Sequence, residues 1–325
     1  MALMAALFAR EHNRLAKLIK NTWDQGTMSD EDIFQLARKI VGAEMQMIAY
    51  NEWLPALMGT QDAPSLNDHA FSTSVDPRML TEFTTAIFRF GHSMLQNAFT
   101  MGYDKLSATH LPLRDGFFNP KFLYSSPERV DLLLGGMLLD HAQEVDAFIT
   151  DEVRNFLFAH NGQTACMDLA ALNIQRGRDH GLSSYNTLRQ AVGLSAKTSF
   201  DQITSNTNLQ SRLQAAYGND ISKVDAWVGA LTEDHRPGSS IGELTTKVFQ
   251  MQFTRLRDGD PWFYKNDPVF ATPDLKLVFD ADTFSFAKLL RENTNIPNVP
   301  NNVFTIDEGD AAVCGSMGTI TMELT

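Results

Sequence analysis

Apolar positions along this chain recur mainly at three- and four-residue spacing, the period of a helix that buries one face. The opening run from Met1 to Ala9 passes without a break into Leu15, Leu18 and Ile19. It therefore reads as a helix in progress rather than a secretory leader. No basic segment precedes it, and Arg10-Glu11-His12-Asn13-Arg14 follows at once. No capping residue stands ahead of it. Ser29 with Asp32 approximates a capping box before Ile33, Leu36, Ala37 and Ile40. Asp76-Pro77 supplies a cap and a first-turn proline for a helix running to about position 99, and Ser126-Pro127 does the same for 128 to about 139. Val145, Phe148, Ile149, Val153, Phe156 and Leu157 form a further helical stripe. Asp168 and Gly181 bracket another helix, 168–180; Ser240 with Glu243 opens one to about 257, and Asp282 one to about 291.

Strand-like alternation is nearly absent, with 276–279 the best short candidate. The irregular stretches, about 55–75, 104–125 and 293–325, are too unbiased in composition to be linkers. The pattern predicts a mainly α fold: a single domain over 1–325, with 305–325 as a tail. A chain of 325 residues can bury a core without disulfide or metal support. Its 27 basic and 39 acidic residues leave a net charge of −12, a field that repels phosphate, so nucleic acid and anionic membrane are poor partners. No apolar run reaches the roughly 20 residues of a membrane span. Cys166 and Cys314 allow one disulfide but suit two buried thiols better, and no N-x-S/T sequon occurs.

Several motifs fail on context. Gly238-Ser239-Ser240-Ile241-Gly242 fits the nucleophile-elbow spacing, but the polar stretch Glu233-Asp234-His235-Arg236-Pro237 precedes it where a buried strand is required. Asp258-Gly259-Asp260 and Asp280-Ala281-Asp282 lack calcium-loop spacing. Among the histidines, His69, His110, His141, His160 and His235 read as surface or turn residues, and His12 as a structural partner in a charged cluster. His92 differs. It lies in Phe88-Arg89-Phe90-Gly91-His92, where Arg89 and Phe88 share its helical face and Gly91 leaves room for a flat, bulky object. A satisfied core histidine fits the same residues. In Asn173-Ile174-Gln175-Arg176-Gly177-Arg178-Asp179, Asn173 and Arg176 again share a face. Arginines in an apolar helical domain need anions: Arg89 and Arg176 suit a bound dicarboxylate, or else a structural Arg–Asp network.

At these residues the chain resembles the animal-type haem peroxidases. The matching segments are Arg10 to Ala16 (REHNRLA), Tyr50 to Pro55 (YNEWLP), Phe88 to His92 (FRFGH), Asp168 to Gly181 (DLAALNIQRGRDHG) and Arg255 to Asp260 (RLRDGD), with Glu292 to Phe304 closing the series. The resemblance implies haem b as cofactor, with or without a covalent link in the complete enzyme. His92 matches the axial ligand of the iron, and Asn173 the asparagine that accepts the ligand's other ring N–H, a bond that tunes the imidazole. Arg89 and Arg176 match the arginines that meet the haem propionates. The REHNR and RLRDGD segments read as buried polar staples of the fold.

Hydrogen peroxide and a small reducing substrate, a halide or an organic donor, are the partners the resemblance implies, and secretion the expected fate. In the family the distal histidine and arginine, a calcium site and the carboxylate that esterifies haem lie N-terminal to the REHNR helix. The expectation is thus the C-terminal, proximal part of a bacterial-type peroxidase, without its distal catalytic groups. The alternatives are a non-catalytic haem-binding or structural remnant and a fatty-acid dioxygenase of the same superfamily.

Overall fold

The computed structural model describes residues 1–24, 26–157 and 167–306. His160, Cys166, Cys314 and all but the first two residues of the 305–325 tail lie outside them. The first two helices, α1 (Ala2–Leu18) and α2 (Asp30–Ile48), pack on each other, burying Leu15 with Ala37, Ile40 and Met47, and Leu7 with Ile48. The three- and four-residue spacing of these side chains is what gives each helix one apolar face. α2 starts on the expected capping box: Ser29 Oγ accepts from the Asp32 amide at 3.2 Å, and Asp32 Oδ2 accepts from the Ser29 amide at 3.0 Å. After them come α3 (Thr81–Thr85), a 3-10 turn over Ile87–His92, and an antiparallel hairpin of β1 (Ala98–Met101) and β2 (Thr109–Pro112). α4 (Glu128–Met137) lies against β1. The remaining longer helices are α5 (Leu169–Asp179), α6 (Tyr185–Ala191), α7 (Thr207–Tyr217), α8 (Ala226–Thr232), α9 (Glu243–Gly259) and α10 (Phe286–Asn293). The fold is mainly α, with one two-stranded sheet among the described residues.

One buried cluster joins Tyr50, Phe83, Ile87, Phe90, Trp227, Phe249 and Phe253 beneath the 3-10 turn, and a second gathers α1, α4 and α10 around Leu7, Leu134 and Leu290. The polar segments tie these layers together. Arg10 bonds Asp131 of α4 and the Asn293 carbonyl at the end of α10. Arg14 holds Glu11 at 2.6 and 2.8 Å and Glu292 at 2.9 Å. In the RLRDGD segment, Arg257 pairs with Asp258 at 2.7 Å and reaches the Ser65 carbonyl, while Arg255 Nε donates to the Asp76 carbonyl at 2.8 Å. Buried ion pairs of this kind are costly to break because one charge is left without its partner.

Several elements depart from expectation. Asp76 does cap Arg78 N, but the long helix over 77–99 is replaced by α3, the 3-10 turn and β1. The backbone breaks at Ala86 (φ −129°, ψ −69°), amid Thr84, Thr85, Ile87 and Phe88, all residues that lose side-chain freedom in a helix. The 276–279 strand is instead the end of a 3-10 turn, Pro273–Leu277, whose neighbours bury Leu275, Val278 and Phe279 at helical spacing. The 145–157 stripe contains only the single turn Asp151–Arg154, because the Val145 carbonyl is taken by His235 Nε2 at 2.7 Å and the Gln143 amide by the Met94 carbonyl. α9 starts later than Ser240 and without its cap. Glu233 Oε2 instead accepts from the Leu244 amide at 2.7 Å, and a side chain at Gly242 would collide with Glu233. α10 likewise begins after Ser285, whose hydroxyl caps Lys288 N, rather than at Asp282.

Candidate functional site

The 3-10 turn delivers Arg89 and His92 to one side, since residues three apart eclipse in this geometry. Its inner face is anchored by buried Phe90 against Phe249 and by Trp227 of α8, whose Nε1 donates to the Arg89 carbonyl at 3.3 Å. Phe88 stays exposed and stacks on Phe83 with 4.7 Å between ring centroids. α5 runs past this turn. Asp168 fixes its start by accepting from the amides of Ala170 and Ala171 at 2.8 and 3.1 Å, and Gly181, at φ +64°, ends it. Asn173 thereby points inward and is fully buried.

The structure brings Arg89, His92 and Asn173 into one hydrogen-bonded chain. Asn173 Nδ2 lies 2.7 Å from His92 Nδ1, and Arg89 Nη1 donates to Asn173 Oδ1 at 3.0 Å. The expected partner is present, but the polarity is reversed. The amide oxygen, expected to accept from the histidine, is taken by the guanidinium, so the amino group faces the ring. His92 Nε2 makes no hydrogen bond among the described residues. Burial and the Arg89 charge lower the imidazole's basicity, against a smaller opposing effect of Asn173, and favour the neutral ring.

Arg176 lies one turn beyond Asn173 on the exposed side of α5 and has no side-chain partner among the described residues. It is near enough to Arg89 that, after burial, its charge is the second influence lowering the Arg89 pKa. Neither arginine has a carboxylate partner there, whereas Arg178 is paired with Asp225 at 2.8 Å. A Cβ added to Gly91 would meet nothing within 4 Å, so the backbone beside His92 borders open space. Two guanidinium groups without a carboxylate partner among the described residues, a free imidazole nitrogen and a bare backbone edge suit a flat dianionic ligand. The residues present fit a haem, whose propionates Arg89 and Arg176 would meet.

The other histidines have structural partners: His69 binds Asn266 at 2.9 Å, His110 binds Thr100 at 3.1 Å, and His12 binds the Phe34 carbonyl at 3.1 Å. His141 lines an apolar groove of about 820 Å³ with Phe88, Met94 and Met137. Trp227 and the aromatic bed beneath the turn have no motif in the sequence that singles them out; only the tertiary fold joins them to Arg89.

The family model for animal haem peroxidases matches residues 1–304. Peroxinectin A of Dictyostelium discoideum is 36% identical over 92% of this chain and 54% of its own length, and human eosinophil peroxidase 35% identical over 94% of this chain and 43% of its own. Among solved structures, Peroxidase A from Dictyostelium discoideum superposes with a TM-score of 0.80 at 34% identity, covering 91% of this chain and 55% of that one. A fatty acid alpha-dioxygenase of Arabidopsis thaliana shares the fold (TM-score 0.76, 20% identity, 99% and 56% covered). The chain spans about half the length of the first of these relatives and of both solved structures, and less of the eosinophil enzyme. The chain belongs to the animal haem peroxidase family.

Proposed function

We propose that the chain forms one domain over 1–325, with 305–325 as its tail, that builds the proximal side of a peroxidase haem site. The observation that carries this reading is the Arg89–Asn173–His92 chain with Arg176 unpaired beside it. His92 would ligate the haem iron, Asn173 would set the orientation of the His92 ring, and Arg89 and Arg176 would receive the two propionates through charge-assisted bonds. Gly91 and the exposed face of Phe88 admit the ring's edge. Bound haem supplies the iron centre at which hydrogen peroxide is reduced and a halide or small organic donor oxidised. The groups on the other side of the ring, which take and return the peroxide proton, come from the part of the family domain that this stretch does not span.

The test is reconstitution of this chain with haemin. A Soret band above that of free haemin should form, and His92→Ala should remove most of it. An unchanged band would sink the ligand assignment. A peroxide-dependent guaiacol assay of the same material should give little rate beyond free haemin. Rapid turnover would place the proton-transfer groups within this chain. Haem binding without turnover agrees with a half-site.

A further inference from the structure

Arg89 is the member of this constellation whose hydrogen-bonding role admits no alternative. A guanidinium has five N–H donors and no acceptor. The end of the Asn173 amide that lies 3.0 Å from Arg89 Nη1 is therefore oxygen. The amino end then faces His92 Nδ1 at 2.7 Å, and an amide amino group only donates. Nδ1 receives with its lone pair, which puts the single proton of the neutral ring on Nε2. A nitrogen that carries a proton has no lone pair to offer a metal. Through Asn173, Arg89 thus holds His92 in the tautomer that cannot ligate.

We propose that Arg89 is a positioning residue that gates the ligand competence of His92, and that a porphyrin with free carboxylates opens this gate while its esterified form does not. The proposal rests on the axial-ligand reading given above. Asn173 is fully buried, and its side chain has no hydrogen-bond partner other than Arg89 and His92 among the described residues. Neither Arg89 nor Arg176 has a carboxylate of its own there. A carboxylate arriving between them is a charged acceptor and competes well against the neutral amide oxygen. Arg89 lets go of that oxygen, and the amide turns about its terminal torsion, which is broad and roughly two-fold. Its oxygen now accepts from Nδ1–H. The proton given up at Nε2 is replaced by one taken from water at Nδ1, so the ring stays neutral and the Nε2 lone pair is free.

The first measurement needs no porphyrin. Chain labelled with ¹⁵N-histidine is examined by long-range ¹H–¹⁵N correlation, with His92→Ala assigning the His92 signals. The wild type should show a pyrrole-type Nε2 and a pyridine-type Nδ1. Asn173→Asp presents only acceptors and should move the proton to Nδ1 with Arg89 intact. Arg89→Leu should show both tautomers; if it does not fold, Asn173→Asp alone decides. A wild type protonated at Nδ1, or a pattern that Asn173→Asp leaves unchanged, overturns the proposal.

The second measurement uses zinc protoporphyrin IX, whose closed-shell metal keeps the spectra sharp, and its dimethyl ester. The free acid should give a red-shifted Soret band that is lost in His92→Ala, together with a new Nδ1–H signal. At saturation the ester should give no such band with the wild type but should give it with Asn173→Asp. Simple loss of propionate contacts would weaken the ester in both without restoring ligation in either. Equal His92 ligation of acid and ester by the wild type overturns the gate. If neither porphyrin gives a His92-dependent band while the tautomers behave as expected, the axial-ligand reading fails, the porphyrin half of the proposal falls with it, and the Arg89 lock stands.

Discussion

Glu44 and Glu11 meet between α1 and α2, each about 1% exposed, and one buried charge is all the pair can support. Burial would raise Glu11, but bonds from Arg14 and Asn293 hold it below the usual carboxylate range and keep it ionised. Glu44 is left to carry the proton. Burial first, then the Glu11 charge, push its pKa up to about 10, with Arg14 opposing and Glu292 reinforcing the rise. A carboxyl whose folded pKa lies above its unfolded value contributes stability that is complete below pH 4.5, declines as pH rises from there and is lost by about 10. Glu44→Gln keeps a donor toward Glu11 and cannot ionise. The variant should match the wild type near pH 4 and exceed it by a few kcal/mol, on the order of 2–4, at pH 8. Urea denaturation at the two pH values checks this. A gap that shrinks with rising pH would show that Glu44 is the ionised partner.

At the scale of elements, the 3-10 turn over Ile87–His92 is the feature that decides what the site can accept. Its inner side is fixed by Phe90 and Trp227, while Gly91 borders open space. Gly91→Leu should therefore leave stability within about 0.5 kcal/mol yet block the ring's edge. Haemin affinity should fall at least about tenfold, or 1.4 kcal/mol. A variant that binds haemin as the wild type does would mean that the ligand approaches from elsewhere. The legibility of the elements follows the origin of their end signals. α2 and α5 were readable because Ser29, Asp32, Asp168 and Gly181 are local signals acting within a turn of their own sequence. The start of α9 and the 77–99 segment were not, because Glu233 caps α9 from ten residues upstream of its start, and the Leu80 amide is held by the side chain of Gln252. The site divides in the same way. The FRFGH and DLAALNIQRGRDHG segments single out Arg89, His92, Asn173 and Arg176. The polarity of the Asn173 amide depends on a contact across 84 positions, which no local pattern carries.

At the scale of the molecule, the REHNR segment works as a fastener rather than as chemistry. Arg10 sits on α1 and joins two elements far away in the chain, Asp131 on α4 and the end of α10. Asp131 is nearly sealed from solvent and also accepts from the Asn295 amide at 3.0 Å, so its charge is needed on both sides. Arg10 itself is one-third exposed, and solvent screens part of its attraction. Removing it leaves a buried carboxylate with one polar contact fewer, and that loss, more than the ion pair's own worth, sets the cost. Arg10→Met should destabilise the chain by roughly 2–3 kcal/mol, at the low end for a buried pair because of the exposure. Asp131→Leu should also cost stability, through the stranded Asn295 amide. The double variant Arg10→Met/Asp131→Leu should lie closer to the wild type than the sum of the two, since neither charge is then left alone; a coupling of about 1–2 kcal/mol is expected. Chemical denaturation of the four proteins reads this directly. Strict additivity would mean that Arg10 and Asp131 are held by separate partners, and that the pair does not fasten α1 to α4.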